Sequence, residues 1–161
     1  MWGVSVQVIR SFKAENATPV GFGVRTMLLT NQNEDGPIAS RLGGLGSKVE
    51  ASRELFSALE ALIEDPAGYG LFVMDCDGFG GVEAGIKAVA MLGGLARRIP
   101  VILVSAGFST QTFPEDRGEP TCLRAPISVV SLRVGFEHAL RDRLALRDRL
   151  ALRDRLVLRI G

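Results

Sequence analysis

A run of four apolar residues that leads directly into a carboxylate constrains the fold of this chain more than any other feature. The run is Leu71–Met74, the carboxylate is Asp75, and a glycine-rich turn follows as far as Gly81. Continuous apolar runs are typical of strands that are buried on both faces, as in parallel sheets. In open α/β sheets, ligands collect at the carboxyl ends of the strands, so Asp75 is a candidate functional residue. The alternative is that Asp75 only shapes a turn or caps the next helix.

A second apolar run, Pro100–Ser105, ends in a hydroxyl group. Parallel strands bring their carboxyl ends to the same edge of a sheet. We therefore expect Ser105 to lie near Asp75.

Strand and helix patterns alternate from Val24 to Leu140. The predicted strands are Val24–Thr30, Lys48–Ala51, Leu71–Asp75, Pro100–Ser105 and Thr121–Leu123. The predicted helices are Gly36–Leu45, Arg53–Ile63, Val82–Arg97 and Ser128–Leu140, and the Gly- and Pro-rich stretch 107–120 is a predicted loop with at most a helical turn. This alternation favours parallel strands joined by right-handed crossovers. The predicted fold is α/β: a flavodoxin-like three-layer sandwich with a five-stranded parallel sheet of order 2-1-3-4-5 and helices on both faces.

Two of the predicted helices carry an apolar face. In the first, the face comprises Leu55, Phe56, Leu59, Leu62 and Ile63. In the second, it comprises Val82, Ile86, Val89 and Leu92. We expect both faces to pack on the sheet.

Composition limits the class of protein. The chain has 161 residues and is 47% hydrophobic, enough for one domain with a substantial core. It has no run of the ~18 apolar residues that a membrane span needs and no secretory signal at its start, so we predict a cytoplasmic protein without membrane contact. Two cysteines, Cys76 and Cys122, exclude a disulfide scaffold and a structural zinc site.

The predicted organisation is an N-terminal appendage (1–23), one domain (24–140) and a tail (141–161). The tail repeats Arg-Asp-Arg-Leu-Ala-Leu, which favours a helical extension of the domain. Seven Arg and three Asp give the tail a charge of +4, which leaves −3 for residues 1–140 of the total of +1. Three interpretations stay open: a functionless duplication, a contact surface for a partner helix, or binding to nucleic acid or anionic lipid. We expect neither nucleic acid nor membrane as the main partner.

The strand-end residues, in this order of elements, resemble the receiver domain of bacterial two-component response regulators. The resemblance covers Val24 to Leu140. It implies that Asp75, which ends the third strand, is the phosphoacceptor candidate. It also implies that Ser105, which ends the fourth strand, is the candidate for contact with the phosphoryl group.

The sequence departs from the receiver pattern at the positions that carry charge. Ala125-Pro126 stands where the family has Lys-Pro, so the lysine position is vacant. Asn31 and Gln32 stand where an acidic pair holds the family's metal ion, and Cys122 replaces the aromatic residue of the fifth strand. Phosphoryl transfer needs such charges to neutralise the transferred oxygens.

Three acidic side chains could rebuild a metal site. Asp77 is a weak candidate ligand, and Glu34 and Asp35 follow the first strand. Arg124 lies beside the vacant lysine position, but alternation along a strand predicts that it points to the opposite face. We therefore expect no cofactor, and Mg²⁺ only if this site is functional.

The predicted function is that of a degenerate receiver, or pseudo-receiver: a non-enzymatic module of a two-component phosphorelay that acts by protein contact. The resemblance implies a histidine kinase or an output protein as the partner, and a homodimer is a further alternative. The first alternative function is a phosphorylatable receiver that uses Asp75.

The second alternative is an enzyme. Asp75-Cys-Asp77-Gly resembles the first motif of haloacid dehalogenase-like phosphatases, in which the first Asp is the nucleophile and the second the general acid. Ser105 would match the second motif. The sequence lacks a later strand that ends in an acidic pair, and Lys87 is the only lysine after Asp77.

Overall fold

The computed structural model describes residues 22–143 and 152–153. The predicted N-terminal appendage lies outside the described residues apart from positions 22 and 23. The predicted helical tail also lies outside them, apart from 141–143 and 152–153, which are helical.

Five parallel strands form one sheet with the order β2-β1-β3-β4-β5. They are β1 (Arg25–Leu29), β2 (Lys48–Ser52), β3 (Leu71–Asp75), β4 (Val101–Ser105) and β5 (Thr121–Arg124). Strands β3 and β4 are continuously apolar up to their last residue, and β1 is apolar over its last three residues, as expected for central strands with both faces buried. The predicted fold class and strand order are therefore confirmed.

Five helices accompany the sheet within the described part of the chain. They are α1 (Pro37–Gly44), α2 (Leu55–Glu64), α3 (Val82–Leu92), α4 (Leu95–Arg98) and α5 (Val129–Ala139), and a 3₁₀ turn covers Cys76–Gly78. The single helix predicted over Val82–Arg97 is wrong: the chain breaks at Gly93, whose φ of +55° is left-handed and ends α3. No helix among those described is long and apolar enough to cross a membrane.

Side chains that alternate along the strands separate two cores, one on each face of the sheet. Phe72 and Leu103 contribute to the core under α2, α3 and α4. Val73 and Ile102 contribute to the opposite core, under α1 and α5. This alternation produces the three layers of the sandwich.

The predicted apolar faces of α2 and α3 are partly wrong. Phe56 and Ile63 in α2 are 63% and 56% exposed, and Ile86 in α3 is 57% exposed. The buried positions of these helices include small residues as well as leucines: Ala58 in α2, and Gly85 and Ala88 in α3. At Gly85 in α3, an added Cβ would lie 2.7 Å from Cys76 Sγ, so only glycine fits there.

The crossover between β4 and β5 contains no helix over 107–120, as the Gly and Pro content predicts. This crossover loop runs back along β5, where the backbones of Thr112 and Cys122 exchange two hydrogen bonds of 2.9 and 3.0 Å. It also contacts the end of α5, because His138 Nε2 lies 2.6 Å from the Pro114 carbonyl oxygen. The loop therefore pairs with the outer edge of β5 at Cys122.

Candidate functional site

The structure brings Asp75 and Ser105 to the same edge of the sheet. Asp75 ends β3 and pairs in register with Val104 of β4. Ser105 is the next residue of β4 and pairs with Arg124 of β5. The carboxyl ends of three neighbouring strands therefore meet around the two predicted site residues.

Asp75 is a half-buried carboxylate with one side-chain donor. Thr30 Oγ1, just beyond the end of β1, donates to Asp75 Oδ2 over 3.1 Å, and the Gln32 amide donates to the same Thr30 oxygen over 3.2 Å. Burial raises the pKa of Asp75 above its ordinary value, the Thr30 hydrogen bond lowers it, and the negative charge of Asp77 raises it further. Sequence reasoning missed Thr30, although its position as the last residue of the predicted first strand could have indicated it.

The hydroxyl of Ser105 is bonded to Asp77 and not to Asp75. Ser105 Oγ lies 2.5 Å from Asp77 Oδ1, and the Ala106 amide donates to Asp77 Oδ2 over 2.8 Å. The Gly107 amide in turn donates to Ser105 Oγ over 3.0 Å. Asp77 thus fixes the turn after β4, and Ser105 is fully buried beneath it.

The acidic residues near β1 do not join this site. Glu34 and Asp35 line a separate pocket of about 620 Å³ together with Glu50 of β2. Asn31 instead packs against the turn after β3, where a Cβ added at Gly78 would lie 2.5 Å from the Asn31 side chain. Among residues 22–143 and 152–153, no three His, Cys, Asp or Glu side chains cluster as a metal site would require.

A pocket of about 260 Å³ lies beside Asp75, and Ala125 forms part of its wall. Arg124 is not among the residues that line this pocket; it lines a neighbouring pocket with Ser109 and Thr110, and Ala125 and Pro126 line both. The cation that does line the Asp75 pocket is Arg41 of α1. Its Nη1 donates to the Ile127 carbonyl over 2.6 Å.

Sequence reasoning missed Arg41 because it belongs to a helix that carries no recognisable motif. Its one signal is its spacing of three residues from Ile38, a buried residue of the same helix. That spacing places the arginine near the side of α1 that faces the sheet.

The remaining reactive groups near the site are not nucleophiles at neutral pH. Burial raises the pKa of Cys76 to about 12, so its thiol keeps its proton. Both oxygens of Asp77 accept hydrogen bonds. The arrangement therefore offers one carboxylate, Asp75, that faces a pocket, with a guanidinium on another part of the pocket wall.

Comparisons with known proteins give a similar fold but no similar sequence. The chain matches no protein-family model and no curated protein sequence. Its structure is similar to the crystal structure of a response regulator receiver domain protein from Bacillus halodurans C-125, with a TM-score of 0.51. The two sequences are 14% identical, and the match covers 72% of this chain and 96% of the other. At this level of identity the likeness establishes a receiver-type fold.

Proposed function

We propose that this chain is a degenerate receiver: a signalling module of the two-component type that acts through contact with a protein partner and not through phosphoryl transfer. The observation that carries the proposal is the surroundings of Asp75. The carboxylate stands at the carboxyl edge of a receiver-type sheet, yet no ion pair reaches it from the described residues.

The vacant lysine position supports this proposal. Ala125 cannot supply a charge, and Arg41, which lines the same pocket, is bonded to the Ile127 carbonyl. A phosphoryl group on Asp75 would add negative charge to a half-buried site that already lies near Asp77. Without a cation in contact, that charge would be poorly neutralised.

The absence of a cofactor is part of the proposal. Neutral Asn31 and Gln32 are poor substitutes for two carboxylates as Mg²⁺ ligands. Glu34 and Asp35 line another pocket, so they do not support a rebuilt metal site.

We also propose that the chain is not an enzyme. A phosphatase of the dehalogenase type would use Asp77 as a general acid, which must donate a proton to the leaving group. Here both Asp77 oxygens accept hydrogen bonds from Ser105 and Ala106. This arrangement supports a structural role for Asp77.

The partner would be a protein, either a histidine kinase or an output protein, with a homodimer as the alternative. The exposed apolar residues of α5 support such contact, because Val129, Val130 and Val134 are 60%, 70% and 44% exposed. We further propose a cytoplasmic location. The two free cysteines support it, because reducing compartments keep thiols unpaired.

The test is incubation of the chain with a small phosphodonor and Mg²⁺, followed by intact mass measurement. The proposal expects no stoichiometric gain of a phosphoryl group in the wild type. The control for a competent assay is the double variant Ala125→Lys with Asn31→Asp, which restores one cation and one carboxylate and is expected to gain label.

A stoichiometric gain in the wild type that disappears in Asp75→Asn and persists in Asp35→Asn would overturn the proposal. It would establish the phosphorylatable receiver instead. Turnover of an aryl phosphate with Mg²⁺ that depends on both Asp75 and Asp77 would establish the phosphatase.

A further inference from the structure

The pocket beside Asp75 has walls of two kinds. Its charged and polar wall contains Asp75, Arg41 and Gln32. Its apolar wall contains Ile38, Val104 and Ile127. A concave site with an apolar lining and a few polar groups is the usual form of a small-molecule site.

The two charged residues line the same pocket without pairing with each other. Asp75 makes one side-chain hydrogen bond, with Thr30, and no ion pair within residues 22–143 and 152–153. Arg41 makes one hydrogen bond there, with the Ile127 carbonyl, and likewise no ion pair. A guanidinium has five donors and a carboxylate can accept about four hydrogen bonds, so both groups keep most of their capacity. The ion pairs found in the described part of the chain lie elsewhere, as in Arg25 with Glu50.

The volume limits what could bind. The pocket measures about 260 Å³, below the roughly 300–1,000 Å³ of pockets that take drug-sized ligands. Ala125 contributes only a methyl group to the pocket wall. A ligand of amino-acid size fits this limit, whereas a nucleotide exceeds it.

We propose that this pocket binds a small zwitterion of amino-acid size, with its ammonium group on Asp75, its carboxylate on Arg41 and its apolar part against Ile38, Val104 and Ile127. Each charged group then gains a charge-assisted partner, which is stronger than a neutral hydrogen bond. The proposal goes beyond the signalling function, because a ligand in this pocket would link α1, β3 and the turn after β5. It does not depend on whether Asp75 accepts a phosphoryl group.

The test is a ligand titration of the full chain. Binding is monitored by calorimetry and by the NMR shifts of the backbone amides of Gln32, Arg41 and Asp75. The probes are leucine, gamma-aminobutyrate and epsilon-aminohexanoate, which differ in the separation of their charges. N-acetylleucine lacks the ammonium and leucinamide lacks the carboxylate, so they serve as matched control ligands. We expect saturable binding of at least one zwitterion, and binding at least about tenfold weaker for its singly charged counterpart.

Three variants localise the binding. Asp75→Asn and Arg41→Gln each remove one charge at nearly constant size, and we expect each to weaken binding by at least about tenfold. Ala125→Leu fills the pocket without a change of charge and should abolish binding. The matched controls Asp35→Asn and Arg53→Gln alter exposed residues outside the pocket and should bind as the wild type does.

Several results would overturn the proposal. One is the lack of saturable binding of every zwitterion up to millimolar concentration by a wild-type chain with folded circular dichroism. Another is equal binding of N-acetylleucine or leucinamide. A third is binding that Asp75→Asn and Arg41→Gln leave unchanged, which would place the ligand elsewhere. Because Asp75→Asn and Arg41→Gln preserve size, their results do not depend on whether Ala125→Leu folds.

Discussion

Ser105 donates its hydroxyl hydrogen bond to Asp77, two residues beyond the carboxylate that ends β3. Oγ and Oδ1 are 2.5 Å apart, and Asp77 Oδ2 accepts from the Ala106 amide. The serine and the second aspartate thus form one structural unit that joins the loops after β3 and β4. Asp75 remains outside this unit and faces the pocket.

Loss of the Ser105 hydroxyl is expected to destabilise the fold. In Ser105→Ala, Asp77 loses one of its two donors and the Gly107 amide loses its acceptor. Hydrogen bonds to charged groups contribute about 1.5–3 kcal/mol, so we expect a loss of about 1–2 kcal/mol in the free energy of unfolding. Urea denaturation measures it, with Ser40→Ala as an exposed control that should change by less than about 0.5 kcal/mol. Equal stability of the two variants would contradict the prediction.

Two glycines in helices should respond to alanine with opposite signs. At Gly85, an added Cβ would lie 2.7 Å from Cys76 Sγ and 3.1 Å from Leu103 Cδ1, so Gly85→Ala should cost about 1–3 kcal/mol through overpacking. At Gly43 in α1, an added Cβ meets nothing within 4 Å. Gly43→Ala should therefore gain up to about 1 kcal/mol from helix propensity. Thermal unfolding of both variants checks this. A Gly43→Ala variant less stable than the wild type would contradict the predicted opposite signs.

The Asp75 carboxylate should make stability fall as pH rises above its ordinary pKa. Burial raises the folded-state pKa of Asp75 above 3.8, so the folded chain binds this proton more tightly than the unfolded chain does. Asp75→Asn removes that penalty and should stabilise the chain at neutral pH. We expect less than about 1 kcal/mol, because the group is only half-buried and solvent screens it.

Urea titrations at neutral pH and below pH 3.8 measure this difference. The gain of Asp75→Asn over the wild type should vanish at the lower pH, where both chains are neutral at this position. Asp35→Asn, an exposed carboxylate, is the control. A wild type that is more stable than Asp75→Asn at neutral pH would contradict the prediction that burial of the charged Asp75 destabilises the fold.

His138 should hold the crossover loop 107–120 against α5. Its Nε2 lies 2.6 Å from the Pro114 carbonyl oxygen, and its ring makes a T-shaped contact with Phe113 at 5.7 Å between centroids. We expect His138→Ala to lose about 1 kcal/mol of stabilisation of the closed loop. The equilibrium population of the open loop should then rise by about fivefold. Trypsin cleavage after Arg117, followed by mass spectrometry, reports this opening.

The matched control for the loop is Arg133→Ala, an exposed change on the same helix. It should leave the cleavage rate after Arg117 unchanged. Equal rates after Arg117 in the two variants would show that His138 does not restrain the loop.

Periodicity predicted the sheet but not every helix face. The runs that became β3 and β4 are continuously apolar up to their last residue, as is typical of central strands in a parallel sheet. In α2, however, Phe56 is exposed while Ala58 is fully buried. Hydrophobicity alone ranks Phe56 first, whereas the approach of the helix to the sheet favours the smaller side chain.

Local sequence determined the strand ends of this protein, and so it determined that Asp75 and Ser105 share one edge of the sheet. Because the strands are parallel, the last residue of each strand lies at the same edge of the sheet. Only the tertiary structure decided which groups meet there: Thr30 with Asp75, Ser105 with Asp77, and Arg41 on the wall of the Asp75 pocket. Such contacts join residues that are 28 or 45 positions apart, and they depend on side-chain directions that no local pattern encodes.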